Sequence, residues 1–287
     1  MGDYFEIRPL TQSTGAEIIG FDFDRATTGA YARAWLDALD EHQLLLFRGA
    51  TIEAEQQVEL LEKLGPALVE NEAGRSYQFV SNSHEEGILG DGRFAYHSDH
   101  AFMSDPIDIL SLYGLEIPRS GTQTRFANGL AAARALPEAL RQRIGDRRAR
   151  HIIDPAAESD AVPIRGPRLP DDLPHAYHPI LFPHPRTGEE ILYVCEQQTD
   201  RIEFLDHDDS RALIEALFEH LYTPRFTLVH EWQEGDLVLW DNRALQHARG
   251  EVTPGTSRTL RRVAVGGTPV YEFFKQNREL GFEERSA

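Results

Sequence analysis

His97-Ser98-Asp99 is the stretch of this chain best suited to chemistry. On an extended backbone, residues i and i+2 project from the same face, so an imidazole nitrogen and a carboxylate oxygen converge on one point. A further histidine would complete a facial triad of two histidines and one carboxylate, the donor set that suits a non-heme iron centre with open positions. His247, in the run Trp240-Asp241-Asn242-Arg243-Ala244-Leu245-Gln246-His247, is the candidate. A metal held by both segments would tie the first and last parts of one β-rich core together. Two blander readings compete, because a His-x-Asp triplet also suits a solvated strand face or a plain His–Asp hydrogen bond.

Beyond His247 lie Arg258 and Arg262, four apart and so on one face of an expected strand from Arg258 to Val265. Two guanidiniums turned into a core are costly unless they meet anions, and their planar fork suits a carboxylate. Alternatively that face is solvated and Arg261 is the residue turned inward. The chain has 287 residues, 41% hydrophobic, with 15 Phe, 9 Tyr and 3 Trp, which suffices for one large core or two small ones. Its net charge of −18 repels nucleic acid and anionic membrane surfaces, so an anionic substrate needs a few focused arginines to hold it. Cys195, the single cysteine, cannot form an internal disulfide and sits in the apolar run Ile191-Leu192-Tyr193-Val194-Cys195, which suits an inert buried thiol. Met1 to Glu6 lacks the layout of a signal peptide and no apolar run approaches the roughly 20 residues of a membrane span, so a cytoplasmic location is expected.

The supporting elements follow from periodicity. Strands are expected at Phe5 to Leu10, Ala16 to Phe23 and Gln43 to Gly49, with helices at Thr28 to His42 and Thr51 to Leu64. Residues 70–94 read as a loop ending at the His-x-Asp stretch, hence as a lid. Ile107 to Ile117 and Thr122 to Phe126 read as a hairpin about Pro118-Arg119-Ser120-Gly121, followed by a helix over Ala131 to Ile144 with Pro137 at a first helical position. The proline-rich segment 154–176 reads as a poorly ordered insertion or second lid. Strands at Tyr177 to Phe182, Glu190 to Glu196, Phe226 to Trp232 and Asp236 to Trp240, and a helix at Ser210 to Tyr222, complete the set. Many short strands with peripheral helices argue for an α+β, mainly β fold of sandwich or jelly-roll type, in a single domain over 1–287.

The sequence resembles the Fe(II)- and 2-oxoglutarate-dependent dioxygenases of the TauD/TfdA type. The resemblance rests on Gly15-Ala16-Glu17-Ile18, Leu46-Phe47-Arg48-Gly49, His97-Ser98-Asp99, Gly121-Thr122-Gln123-Thr124, His178-Pro179-Ile180, His184-Pro185-Arg186-Thr187-Gly188, Trp240-Asp241-Asn242-Arg243 with His247, and the two spaced arginines. It implies a double-stranded β-helix (jelly roll) core with flanking helices. It implies that His97, Asp99 and His247 bind Fe(II), that Thr124 and Arg258 hold the distal carboxylate of 2-oxoglutarate, and that Arg262 lies near an anionic group of the substrate. Three protein ligands on an octahedral ion leave three positions, two for the keto acid and one for O2. Oxidation, above all hydroxylation, of a C–H bond in a small carboxylate or sulfonate is the expected outcome, with succinate and CO2 released.

Departures from the family pattern bear on the substrate. Ser120-Gly121-Thr122 stands where the family has a glycine pair, and Val69-Glu70-Asn71-Glu72 lacks the early-loop histidine that helps hold taurine's sulfonate, which argues against taurine itself. His100 either touches substrate or is packed. His175, His178 and His207 read as loop and capping residues, and His151 and His230 as core partners. The rival readings are a zinc-dependent hydrolase, whose His-x-His-x-Asp-His run would here lack its first ligand at Ala95, and a non-catalytic jelly-roll binding protein. A homo-oligomer is left open.

Overall fold

The computed structural model describes residues 4–71, 73–88, 91–119, 123–154, 157–270 and 273. With strands numbered in chain order, the larger sheet runs β1 (Glu6–Pro9), β2 (Ala16–Ile19), β3 (Leu44–Phe47), β15 (Leu237–Asp241), β7 (Ile109–Glu116), β17 (Thr259–Val265), β4 (Gln78–Ser81), β5 (Gly87–Ile88). The smaller sheet runs β14 (Thr227–Glu231), β8 (Gln123–Asn128), β16 (Leu245–Arg249), β6 (Phe94–His97). Leu44, Leu46, Leu110, Leu112, Val238, Trp240 and Leu260 of the larger sheet pack against Phe126 and Leu245 of the smaller one. This two-sheet core is the jelly roll expected from the strand pattern.

The uniformly apolar strands owe their composition to burial on both faces. In β3 and β15, Leu45, Phe47, Leu237 and Leu239 turn away from the inter-sheet core. There they meet Trp35 and Leu39 of α1 (Gly29–His42) and Leu60 and Leu61 of α2 (Ala54–Leu61). Behind the smaller sheet, Leu213, Leu217, Phe218 and Leu221 of α5 (His207–Leu221) cover Ala127 and Phe226. Among the described residues no helix is long and apolar enough to cross a membrane.

Four expectations are corrected. The stretches 107–117 and 122–126 do not form a hairpin: β7 pairs with β15 and β17, whereas β8 pairs with β14 and β16 in the other sheet. A turn signal marks where the chain bends, not which strand it then joins; Ser120, Gly121 and Thr122 lie outside the described residues. The helix expected over 131–144 is two, α3 (Gly129–Arg134) and α4 (Glu138–Ile144), because Pro137 caps the second from outside instead of entering it. The 70–94 segment is not a lid throughout, since it contributes β4 and β5 to the larger sheet, β4 directly beside β17. Finally, segment 154–176 is tied down: the buried Arg150 guanidinium donates to the Pro170 and Asp171 carbonyl oxygens while forming a two-pronged pair with Asp200.

Candidate metal centre

β6 and β16 run antiparallel with His97 directly opposite His247, so both rings leave the same face of the smaller sheet. Their centroids lie 4.2 Å apart. β6 ends at His97, and Asp99 sits in the following turn, in which Ala101 N–H donates to the Ser98 carbonyl and His100 adopts φ of 62°. The shared direction of His97 and Asp99 is therefore set by this turn and not by a continued strand. Asp99 Oδ1 lies 3.3 Å from His97 Nε2 and 3.6 Å from His247 Nε2. One ligand atom from each of the three residues can be chosen so that all lie within 4.8 Å of one another.

The backbone around these ligands is held by the Trp240-Asp241-Asn242-Arg243 run. Asn242 Oδ1 accepts from Asp99 N–H at 2.9 Å, and Asn242 Nδ2 donates to the carbonyl oxygens of Asp99 at 3.0 Å and Ile107 at 2.9 Å. Asp241 accepts from the N–H groups of Arg243 and Ala244 and from His184 Nε2, fixing the turn that leads into β16. His178 Nε2 approaches the carbonyl oxygens of Ala101 and Met103, each at 3.0 Å. Of the expected loop and capping histidines, His178 is thus a buried buttress of the ligand turn.

Charge follows environment. Burial, then His97, pushes the His247 imidazole down to about 3, so it is neutral at neutral pH. His97 Nδ1 lies 2.8 Å from the Ala95 carbonyl oxygen, which keeps a proton on that nitrogen and leaves the Nε2 lone pair facing Asp99 and His247. Burial alone would raise the Asp99 carboxyl, but its contact with His97 and the Arg262 charge hold it well below the usual carboxylate range. Two imidazoles and one carboxylate converging on a point are a fit donor set for a divalent metal.

The three residues open into a cavity lined also by Thr124, Trp240, Arg249, Arg258 and Arg262. Arg258, just before β17, is 3% exposed, and its Nε has no hydrogen-bond partner among the described residues. Burial, then the nearby Arg249 charge, pushes its guanidinium down to about 9, still a cation at neutral pH. Thr124 reaches the cavity from β8, its Oγ1 accepting from Trp232 Nε1 at 2.9 Å. Arg261 points to the opposite face, where Nε donates to Gln57 Oε1 and the guanidinium covers Tyr113. The alternative in which the Arg258 and Arg262 face is solvated is excluded, since both are buried on the cavity, while Arg261 is buried on the other face.

Arg262 and His100 both lie among acidic partners. The Arg262 guanidinium lines the cavity but is already paired, donating through NH2 to Asp99 Oδ2 at 2.8 Å and through NH1 to Glu70 Oε2. Burial alone would lower it, yet Glu70 and then Asp99 raise it. It is not a free anion clamp. His100 is buried behind the ligands, Nε2 3.5 Å from Glu70 Oε1, and is not among the residues lining the cavity. Sequence reasoning missed Glu70, noting only that no histidine stood there. It also named the Trp240 to Arg243 run without seeing that Asn242 grips Asp99.

Comparison with known proteins agrees with this geometry. The family model "Taurine catabolism dioxygenase TauD, TfdA family" matches residues 6–264. Pentalenolactone F synthase of Streptomyces avermitilis is 29% identical over 87% of this chain and 90% of its own. The (S)-phenoxypropionate/alpha-ketoglutarate-dioxygenase of Sphingobium herbicidovorans is 28% identical over 95% and 98%. Among solved structures, a taurine dioxygenase from Burkholderia xenovorans superposes with a TM-score of 0.77 at 26% identity over 92% of each chain. AAD-2 in complex with Mn(II) and N-oxalylglycine gives 0.74 at 26% identity, covering 92% of this chain and 98% of its own. With the family matched across nearly the whole chain, this protein belongs to the TauD/TfdA family of 2-oxoglutarate-dependent dioxygenases.

Proposed function

We propose that the chain, acting as one domain, oxidises a C–H bond of a small organic substrate, most simply by hydroxylation, with Fe(II) held by His97, Asp99 and His247. The observation that carries this reading is the buried Arg258 guanidinium, which faces the same cavity as the three ligands with an Nε that has no partner. An unpaired buried cation calls for an anion, and Thr124 beside it offers a hydroxyl. The distal carboxylate of 2-oxoglutarate fits that place. When bound, iron with 2-oxoglutarate and O2 supplies the oxidising chemistry, releasing succinate and CO2.

The chain's own residues supply binding and orientation. His97 and His247 present ring nitrogens, that of His247 neutral, Asp99 a carboxylate that His97 and Arg262 keep ionised, and Asn242 fixes the Asp99 backbone. Leu110, Leu112, Val80 and Trp240 form apolar walls that limit water near the reacting centre. Of the finer sequence expectations, C–H oxidation is kept here, while an anion clamp at Arg262 is not, because that guanidinium is held by Glu70 and Asp99. A cytoplasmic setting belongs to the proposal and is supported by the lone buried Cys195, which needs no oxidising compartment.

Two titrations test this. Arg258→Ala is expected to weaken 2-oxoglutarate binding at least tenfold, since removing one partner of a desolvated charge pair costs about 2 to 5 kcal/mol; an unchanged affinity would remove Arg258 from the site. His247→Ala is expected to lose Fe(II) uptake and succinate production while retaining its thermal transition, because the inter-sheet core is built mainly by other side chains. Full metal uptake by that variant would overturn the ligand assignment.

A further inference from the structure

Arg262 is one of three arginines on this cavity, with Arg249 and Arg258, and Glu70 already meets it from behind. Glu70 is 9% exposed, and its Oε2 accepts from Arg262 NH1. The contact is built from several sides. Gln78 of β4 donates from Nε2 to the Glu70 carbonyl oxygen at 2.6 Å, and its Oε1 lies 3.4 Å from Arg262 NH1. His100 Nε2 lies 3.5 Å from Glu70 Oε1, an oxygen that has no hydrogen-bond partner. The second Arg262 arm is occupied by Asp99 Oδ2.

Resting on the reading above, both Arg262 arms are occupied before any substrate arrives, NH1 by Glu70 and NH2 by Asp99. An anionic substrate could reach this guanidinium only by displacing a buried carboxylate, which is costly, whereas a neutral one displaces nothing. We propose that Glu70 is a specificity-determining residue that neutralises Arg262 from within the chain, so that the primary substrate meets the metal centre with an uncharged end. Selection arises because the built-in carboxylate repels a competing anion and denies it its guanidinium.

The test uses the full chain loaded with Mn(II) and 2-oxoglutarate. Uptake of these two by wild type is measured first, and its failure would count against the metal and co-substrate reading itself. Phenylacetate is then titrated calorimetrically into wild type and Glu70→Gln. The variant is expected to bind it at least tenfold more tightly than wild type, and Glu70→Gln combined with Arg262→Gln to lose that gain. Equal affinities in wild type and Glu70→Gln, or no binding to either, would overturn the proposal. A wild-type comparison guards against a variant that fails to fold. There phenylacetate is expected to bind no more tightly than phenylacetamide, and a tenfold preference for the acid would sink the idea.

Discussion

At the scale of single residues, the contrast between Arg258 and Arg262 shows how little identity and spacing say about role. Both are buried and line one cavity, yet one has an unpartnered nitrogen and the other two carboxylates. Asn242 makes the complementary point, for it binds no reactant and yet its three hydrogen bonds determine where Asp99 stands. Asn242→Ala is expected to lower Fe(II) affinity by about 10- to 100-fold, the usual range for a group that orients a metal ligand. Metal titration with a parallel melting curve checks it: a lower melting temperature with unaltered metal affinity would assign Asn242 to the fold alone. His97, Asp99 and His247 were legible in the sequence because two are local and the third lies in a distinctive run. Glu70 was not, since its partner Arg262 lies on β17, brought near only by tertiary folding.

At the scale of elements, periodicity disclosed what is determined locally. α1 and α5 carry clean apolar stripes and appear close to their expected bounds. β3 and β15 read as apolar runs because each is buried on both faces. β9 (Arg148–Ile152) surfaced only through His151, read as a core partner, and β13 (Thr199–Ile202) escaped notice, since charged Arg150 and Asp200 interrupt any apolar pattern. Those two charges are the connection itself, with Arg150 Nε and NH2 donating to Asp200 at 2.8 and 2.7 Å. Arg201 adds a bond to the Leu169 carbonyl oxygen. Asp200→Ala would leave Arg150 buried with only backbone carbonyls and the more distant Asp171. A loss of about 3 kcal/mol is expected, the low end of the range for a broken buried pair. Protease cleavage within 157–174 should become faster in this variant; an unchanged cleavage rate and denaturation midpoint would show that the segment does not depend on the pair.

At the scale of the whole molecule, two opposing effects govern response to acid. Lowering pH towards the sequence pI of about 5.0 removes much of the −18 net charge and so relieves self-repulsion, which favours the compact state. Against this stand four histidines, His100, His151, His178 and His247, whose imidazoles burial holds below their ordinary value, His247 at about 3. In the unfolded chain each takes up a proton near pH 6.5, whereas in the folded state it does so only at lower pH. Between those points the unfolded state binds more protons, so stability falls as pH falls, by up to about 1.4 kcal/mol per pH unit for each such group. Surface repulsion is screened over roughly 8 Å at physiological salt, while the buried groups are hardly screened, so the histidines should win. Metal-free protein is therefore expected to lose stability steadily from pH 6.5 to 4.5 in urea titrations at constant ionic strength. His247→Gln, which removes one of the protons involved, should make the decline shallower. A stability that stays level or rises over this interval would mean that charge relief dominates and that the buried histidines have a route to solvent.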